Sequence, residues 1–478
     1  MFVAFELFSH ILFSLCLGYY MMTALQWYNY RIKRVILHFH KIYWHLLFFF
    51  IPVLVYYLAG VWAWVYIYFA FLPWLVVWAR KLDKPLVLTA RVKRFFAFLL
   101  FAILFQDFLC LASVNCVNFG LLMPLAASLI ISSFYEKLIF HGFYSEANTK
   151  LENRSNLVII AITASFGKTS IKHFLAHILS QKFTIYHTPG NVNTLTGLVQ
   201  DVNKSLPENI EIYIAEAGAR EQGDIAEIAK FLSPQVVIIG QVGSQHIEYF
   251  KTLEAIRNTK MELIHSKRLK HAFVHKSLNI LPSNIVHEYG DELKRVEATL
   301  EGTTFEVFID GRLESFKTDL LGEFNAQNIL SCILVARALG MELETIKDAV
   351  KSLPFVAHRL SPMRVGGKLI LDDSYNGNRS GMEASYRLAA KHLGRKILVT
   401  PGIIESNIEE NEDLAKVMNE VFDIVIITGS TNAQTLLRGL KKPKIHLLKD
   451  KKGLEELLAK ETHSGDLILF SNDAPNYL

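Results

Sequence analysis

The chain has 478 residues, 50 Lys and Arg against 45 Asp and Glu, a net charge of +5 and a mean hydropathy of +0.26. That length suits about three domains. The hydropathy is high for a soluble enzyme, and the apolar excess lies in the first third of the chain.

Met1 to Tyr30 carries only Glu6, Ile42 to Ala79 is 38 residues without Asp, Glu, Lys or Arg, and Phe95 to Tyr135 is 41 residues with Asp107 as its one charge. A spanning helix needs about 20 apolar residues, so these stretches predict five spans, one followed by two hairpin pairs. The first lacks the basic start of a signal peptide and is expected to be retained. Arg31, Lys33, Arg34 and Lys41 follow the first span, and Arg80, Lys81, Lys84, Arg91, Lys93 and Arg94 follow the third. The positive-inside rule places both clusters in the cytoplasm, with the N-terminus outside and everything after Tyr135 inside. A nucleic-acid role for these clusters is the rival reading, but they sit only where topology wants them. Asp107, inside the fourth span, calls for a polar partner, with Gln106, Asn115 and Asn118 nearby. The four cysteines, Cys16, Cys110, Cys116 and Cys332, show no C-x-x-C spacing, and neither a disulfide framework nor a zinc site is expected.

From Leu157 the pattern changes to short apolar runs alternating with helical stretches, the signature of a parallel sheet covered on both faces. Leu157 to Ile162 reads as a buried strand, and Ile171, Phe174, Leu175, Ile178 and Leu179 recur at helical spacing. Between them stand Thr163-Ala164-Ser165-Phe166-Gly167-Lys168-Thr169-Ser170. Strand, Gly-Lys-Thr turn, helix is the context of a phosphate-binding loop. Backbone N–H groups at the helix start would face phosphates, Lys168 would neutralise their charge and the Thr169 hydroxyl would bind Mg²⁺. The usual loop has glycine where this chain has Ile162, so it is a shortened variant. Ile210 to Ala215 and Gln235 to Ile239 predict strands, Asp224 to Leu232 and Leu253 to His265 helices. Arg295 to Asp319 predicts strands joined by turns such as Asp310-Gly311, and Asn325 to Leu339 a helix stopped by Gly340. Beyond Ala357, strands at Lys368 to Leu371, Lys396 to Thr400, Ile424 to Thr428 and Asp466 to Phe470, with a helix at Gly381 to His392, predict a second, smaller α/β domain. No internal repeat or low-complexity tail interrupts this part.

Glu216 ends an apolar run and is placed for Mg²⁺ at the C-terminal edge of the sheet. His246, after the next strand, would reach the same edge; alone, it reads as a surface histidine. Asn325 and Asn328 lie i, i+3 on one helical face, as caps or as partners of a purine base. Asp372-Asp373-Ser374-Tyr375-Asn376-Gly377-Asn378 follows a strand, and turn chemistry accounts for Asn-Gly but not for two adjacent acids.

Taken together, these residues resemble the Mur ligases of peptidoglycan synthesis, most closely the MurF branch, over roughly Leu157 to Phe470. Thr163 to Thr169 matches T-G-[ST]-x-G-K-[ST] with Ala164 for the first glycine. Thr188-Pro189-Gly190-Asn191-Val192-Asn193 resembles the Asn-rich substrate loop. Ala215-Glu216-Ala217-Gly218-Ala219 resembles E-L-G-A, whose Glu binds magnesium. Gln245-His246-Ile247-Glu248 resembles A-H-L-E, whose His binds a second ion. Lys260 falls where the family carries a carbamylated lysine. Gly322 to Asn328 matches G-x-H-N-x-x-N with Phe324 for the His, His358-Arg359-Leu360 matches G-R-L, and Asp372 to Asn378 resembles D-D-S-Y-N-A-N with Gly377 for the alanine. The usual first domain, which holds UDP, is replaced by the membrane segment, and the terminal K-G-S-R motif is absent, with Ser471-Asn472-Asp473-Ala474-Pro475 near that point.

The apolar runs predict a membrane domain at 1–143, and the resemblance implies a P-loop central domain with a parallel sheet at 157–354 and a Rossmann-like C-terminal domain at 358–478. It implies a multi-pass protein of the bacterial inner membrane with its catalytic domains in the cytoplasm, and membrane enzymes of wall synthesis as partners. It implies ATP-dependent ligation of UDP-MurNAc-tripeptide and D-Ala-D-Ala through an acyl phosphate. ATP would meet Thr163, Ser165, Gly167, Lys168, Thr169, Ser170, Asn325 and Asn328, with Arg359 on its phosphates and Asp373 on its ribose. Two Mg²⁺ ions would use Thr169, Glu216, His246 and a carbamylated Lys260, while Asn191 and Asn193 would meet the muramyl substrate. Without the resemblance, Lys260 reads as a solvated helix residue. Two other readings stand beside this one: a ligase acting on a lipid-linked muramyl precursor, and a non-catalytic nucleotide-binding scaffold of wall assembly.

Overall fold

The structure, a computed structural model, describes residues 2–37, 42–82, 84–113, 119–243, 250–375, 377–404, 408–448 and 453–472. The chain divides into two compact units, with the boundary after Gly142.

The first unit is helical. Val3–Trp27, Trp62–Arg80, Ala90–Ala112 and Leu122–Glu152 are each long and apolar enough to cross a membrane. The fifth expected span is a shorter apolar helix, Ile42–Leu58. Two π-helical turns, Leu46–Phe50 and Ile67–Phe71, each precede a proline, Pro52 and Pro73. A proline ring clashes with the carbonyl four residues back, and the helix widens there. Phe13, Leu17 and Tyr20 of the first helix and Phe95, Leu99 and Ile103 of the Ala90–Ala112 helix belong to one buried cluster. A side chain at Gly18 would come within 2.5 Å of Leu99 Cδ2, so glycine lets the two helices approach. Asp107 finds its partner on that first helix: His10 Nδ1 lies 3.1 Å from its carboxylate oxygens. Gln106, one of the expected partners, instead donates to the Gly120 carbonyl at 2.7 Å, and Asn115 and Asn118 lie outside the described residues. The cysteine expectation needs correcting. Cys16 and Cys332 are free, but Cys110 is disulfide-bonded.

The second unit begins with the last turns of Leu122–Glu152. Tyr144 packs on Phe231 with ring centroids 5.2 Å apart, and Lys150 Nζ donates to the Asn203 carbonyl at 2.9 Å. Next comes a six-stranded sheet, Val158–Thr163 (β1), Ile185–His187 (β2), Ile212–Glu216 (β3), Val236–Ile239 (β4), His271–His275 (β5) and Val286–Tyr289 (β6), in the order β2-β3-β1-β4-β5-β6. All its pairings are parallel. Ile159 to Ile162 are fully buried because helices cover both faces of the sheet. The helices Lys168–Leu179 and Glu323–Ala338 share one apolar core with it. Leu293–Thr299 (β7), Gly302–Ile309 (β8) and Arg312–Thr318 (β9) form an antiparallel sheet, turning at Asp310-Gly311 with φ of +51° and +77°.

A second six-stranded sheet follows: Ser361–Val365 (β10), Lys368–Asp373 (β11), Lys396–Thr400 (β12), Ile424–Thr428 (β13), Lys444–Leu448 (β14) and Leu467–Ser471 (β15). Its order is β10-β11-β15-β12-β13-β14, with only the β10 edge antiparallel. The expectation of a helical segment followed by two α/β sheets therefore holds.

Candidate active site

β1 lies between β3 and β4, so the chain leaves it on opposite sides and opens a crevice at the strands' C-terminal ends. The phosphate-loop sequence occupies that crevice. Gly167 caps the helix Lys168–Leu179 with φ +80°, a conformation glycine adopts without strain, and a side chain there would strike Asn328 Oδ1 at 2.6 Å. Thr163 Oγ1 donates to the Ala217 carbonyl at 2.8 Å, and Ser165 donates through N to Gln241 and through Oγ to Gly243. These buried side chains anchor the loop to the ends of β3 and β4. Lys168 Nζ folds back onto the Ala164 and Ser165 carbonyls at 2.6 and 3.2 Å. Burial pushes its ammonium down to about 8, opposed by Glu216 and reinforced by Arg359. Ser170, in the first turn, is buried.

Glu216 pairs in register with Ile162 at the end of β3 and is buried. Its Oε2 lies 3.4 Å from Thr169 Oγ1, and its Oε1 lies 2.9 Å from Lys172 Nζ. Lys172 was not singled out in the sequence, where it reads as one more helix lysine. Lys260 stands on the helix Leu253–Met261 and is 3 % exposed, which removes the solvated reading. Burial, with Lys168 adding repulsion, holds its ammonium well below the usual lysine range. His246 lies outside the described residues.

Asn325 is not a cap. Gly322 occupies the N-cap position, Asn325 Nδ2 donates to the Leu321 carbonyl at 2.7 Å, and its buried Oδ1 has no hydrogen-bond partner among the described residues. Arg359 lies 4.6 Å over the Tyr375 ring and donates to the Tyr375 carbonyl at 3.0 Å. Asp373 ends β11, and burial pushes its carboxyl up to about 7 against the pull of Arg359. His358 sits at φ +62°, a left-handed conformation, with Nδ1 2.8 Å from Asp372 Oδ2. The Asn191 amide meets the Tyr375 hydroxyl, and the Asn193 carbonyl accepts from Gly218 N at 2.7 Å. A cleft of about 240 Å³ lies beside Phe166 of the phosphate loop, faced by Asn378, Arg379 and Ser380 at the start of the helix Arg379–Ala389.

The donor set fits Mg²⁺. A hydroxyl and a buried carboxylate converge, and no group of three His, Cys, Asp or Glu exists among the described residues. Mg²⁺ is commonly held by one or two carboxylates, with phosphate oxygens and water completing the shell.

Residues 162–336 match the Mur ligase middle domain. The UDP-N-acetylmuramoyl-tripeptide–D-alanyl-D-alanine ligase of Bacillus subtilis is 26 % identical over 332 residues, 65 % of this chain and 72 % of that protein. The Escherichia coli enzyme is 27 % identical over 52 % of this chain and 59 % of its own length, so the chain spans between about half and three quarters of such relatives. The MurF ligase of Thermotoga maritima in complex with ADP superposes with a TM-score of 0.61 at 28 % identity, covering 70 % of this chain and 80 % of that one. MurF from Acinetobacter baumannii shares the fold, with a TM-score of 0.62 at 24 % identity over 70 % of this chain and 78 % of that one. The chain thus carries a Mur ligase middle domain, and the part that follows its apolar helices is similar in sequence and fold to the MurF ligases.

Proposed function

We propose that the protein is an ATP-dependent peptide ligase that joins D-alanyl-D-alanine to UDP-N-acetylmuramoyl-tripeptide. The observation that carries this reading is the convergence of Lys168, Thr169 and Glu216 on one sheet edge, with Arg359 and Asp373 brought to it from the second sheet. Residues 157–354 would hold the nucleotide and 358–478 would close over it. The tripeptide carboxylate attacks the γ-phosphate, giving an acyl phosphate and ADP; the dipeptide amine then displaces phosphate and forms the amide. Phosphoryl transfer asks mainly for positioning and charge neutralisation. Lys168 leaves its own loop carbonyls for the phosphates, the helix N-terminus directs N–H groups at them, and Arg359 adds charge from the far side. Asp373 accepts from the ribose. The unpartnered Asn325 Oδ1 and the adjacent Asn328 are proposed to meet the nucleotide, and Asn191 and Asn193 the muramyl peptide. The cleft beside Phe166 gives the dipeptide a route to the acyl phosphate.

Thr169 and Glu216 would hold one Mg²⁺, and His246 with Lys260 a second; the ions would neutralise phosphate charge. A cationic Lys260 would repel a metal. Its depressed basicity leaves a neutral amine that can add CO₂ and lose a proton, becoming an anionic carbamate. The apolar helices are proposed to place the enzyme in the inner membrane, where it can pass its product to membrane enzymes of wall synthesis. The disulfide at Cys110, near one helix end, suits an oxidising exterior on that side. The test is incubation of the full chain with ATP, D-Ala-D-Ala and either UDP-MurNAc-tripeptide or its lipid-linked counterpart. The UDP-pentapeptide should form from the first. Product from the lipid-linked acceptor alone would transfer the reading to that substrate, and no nucleotide-dependent product from either would leave only the scaffold.

A further inference from the structure

Lys172 lies one turn beyond Lys168 and is fully buried. Its Nζ donates to the Thr188 and Gly190 carbonyls, each at 2.7 Å, and forms an ion pair with Glu216 Oε1 at 2.9 Å. Two of these belong to the loop that carries Asn191 and Asn193, and the third is the carboxylate whose other oxygen faces Thr169. We infer that Lys172 is a positioning residue that couples Glu216 to the loop Thr188–Asn193, so that metal and nucleotide at Glu216 set the conformation in which the muramyl substrate is received. The inference rests on the reading of Glu216 as a metal ligand.

A buried ammonium is tolerated only when charge and hydrogen bonds are both satisfied, so Lys172 cannot follow one partner without drawing on the others. It occupies Oε1 and leaves Oε2 toward the phosphate loop, which selects the oxygen a cation would meet. Any turn of the carboxylate toward that cation moves Nζ, and with it two carbonyls of the loop. The loop is held at two further points. The Asn193 carbonyl accepts from Gly218 N, two residues beyond Glu216, and the Asn191 amide meets Tyr375, whose ring lies under Arg359. A continuous set of contacts thus runs from the proposed metal ligand to the residues facing it on the second sheet. Coupling of this kind is reciprocal, so muramyl substrate should also tighten nucleotide binding. A merely structural Lys172 would neutralise Glu216 and set stability without transmitting metal occupancy.

The experiment is hydrogen exchange on the full chain in detergent, with ADP plus chelator and with ADP plus Mg²⁺. In the parent, Mg²⁺ should slow exchange at least about fivefold both in the helix Lys168–Leu179 and in residues 188–193. In Lys172→Met, the helix should keep its Mg²⁺-dependent protection while the loop loses it, and Lys172→Arg, which keeps the charge, should restore part. The KM for the muramyl substrate should rise about tenfold in the methionine variant with the KM for ATP within about twofold. Loop protection in Lys172→Met equal to the parent overturns the inference. The parent alone also decides it, whether or not a variant folds: protection of the helix without any response in the loop rejects the coupling and leaves the nucleotide site standing. No protection in either removes the metal–nucleotide reading itself.

Discussion

The two units treat buried charge differently. In the helical unit, His10 Nδ1 lies 3.1 Å from the Asp107 carboxylate and its Nε2 lies 3.2 Å from the Gly120 carbonyl, which also accepts from Gln106, while Asp107 Oδ1 has no hydrogen bond among the described residues. A lone carboxyl at that depth would cost about 3 kcal/mol, and the contact with His10 offsets part of that cost. In the α/β unit, Lys168 rests on its own loop, Lys260 is held well below its usual range, Asp373 is pushed up to about 7 and Asn325 Oδ1 has no partner among the described residues. The first arrangement pairs a buried acid with a histidine of the neighbouring helix and leaves one carboxylate oxygen without a hydrogen bond among the described residues. The second is a set of strained protonation states and open valences that a polyanion with its cation would relieve, and that difference separates a structural knot from a site.

Removing the charge proposed to meet the phosphates should break the comparison most sharply. Lys168→Ala should lower ligation at least about 10³-fold, read as ADP release, while recovery in the membrane fraction is unchanged. Comparable turnover in variant and parent would sink the phosphate-loop assignment. Next in size is Lys260→Ala, with an expected loss of about 10²-fold and partial recovery on adding formate or acetate, which would stand in for the proposed carbamate. A fully active variant would make Lys260 an ordinary core lysine.

Asp373 sharpens the comparison through pH. Its carboxyl is proposed to accept a ribose hydroxyl, most strongly when ionised, so the KM for ATP should fall several-fold between pH 6 and 8, through the value of about 7. Because the native state holds this proton more tightly than the unfolded chain, whose value is 3.8, the carboxyl costs stability as pH rises through about 7. Asp373→Asn should flatten both profiles, and a variant that keeps the parental KM profile would move the ribose contact elsewhere. The smallest effect on activity belongs to the helical unit. Asp107→Asn should leave kcat within about twofold and lower thermal stability by about 1–3 kcal/mol. Loss of turnover with unchanged stability would mean that the pair serves the reaction.

The phosphate loop was legible because strand, turn and helix occur in sequence, and β12, β13 and the helix Asp224–Leu232 stood where their apolar runs ended. β5 and β6 were not, because His271, His275, His287 and Glu288 interrupt runs only four or five residues long. β14 was missed for the same reason, with Lys444 and His446 in an edge strand that needs no continuous apolar face. The site divided along the same line. Glu216 could be read from the end of its own strand, whereas Lys172 could not, because the Thr188–Gly190 carbonyls and Glu216 meet it only once β2 and β3 are paired. Asp107 announced itself as a charge in an apolar run, but its partner His10 is 97 residues away and pairs only through helix packing.

The central claim is that this site activates a carboxylate by phosphorylating it. UDP-MurNAc-tripeptide carrying ¹⁸O in its terminal carboxylate, turned over by the full chain with ATP and D-Ala-D-Ala, tests it directly. An acyl phosphate passes the bridging oxygen to the phosphate that leaves when the amine attacks, so each released phosphate should carry one ¹⁸O. Unlabelled phosphate alongside labelled amide product would contradict the account.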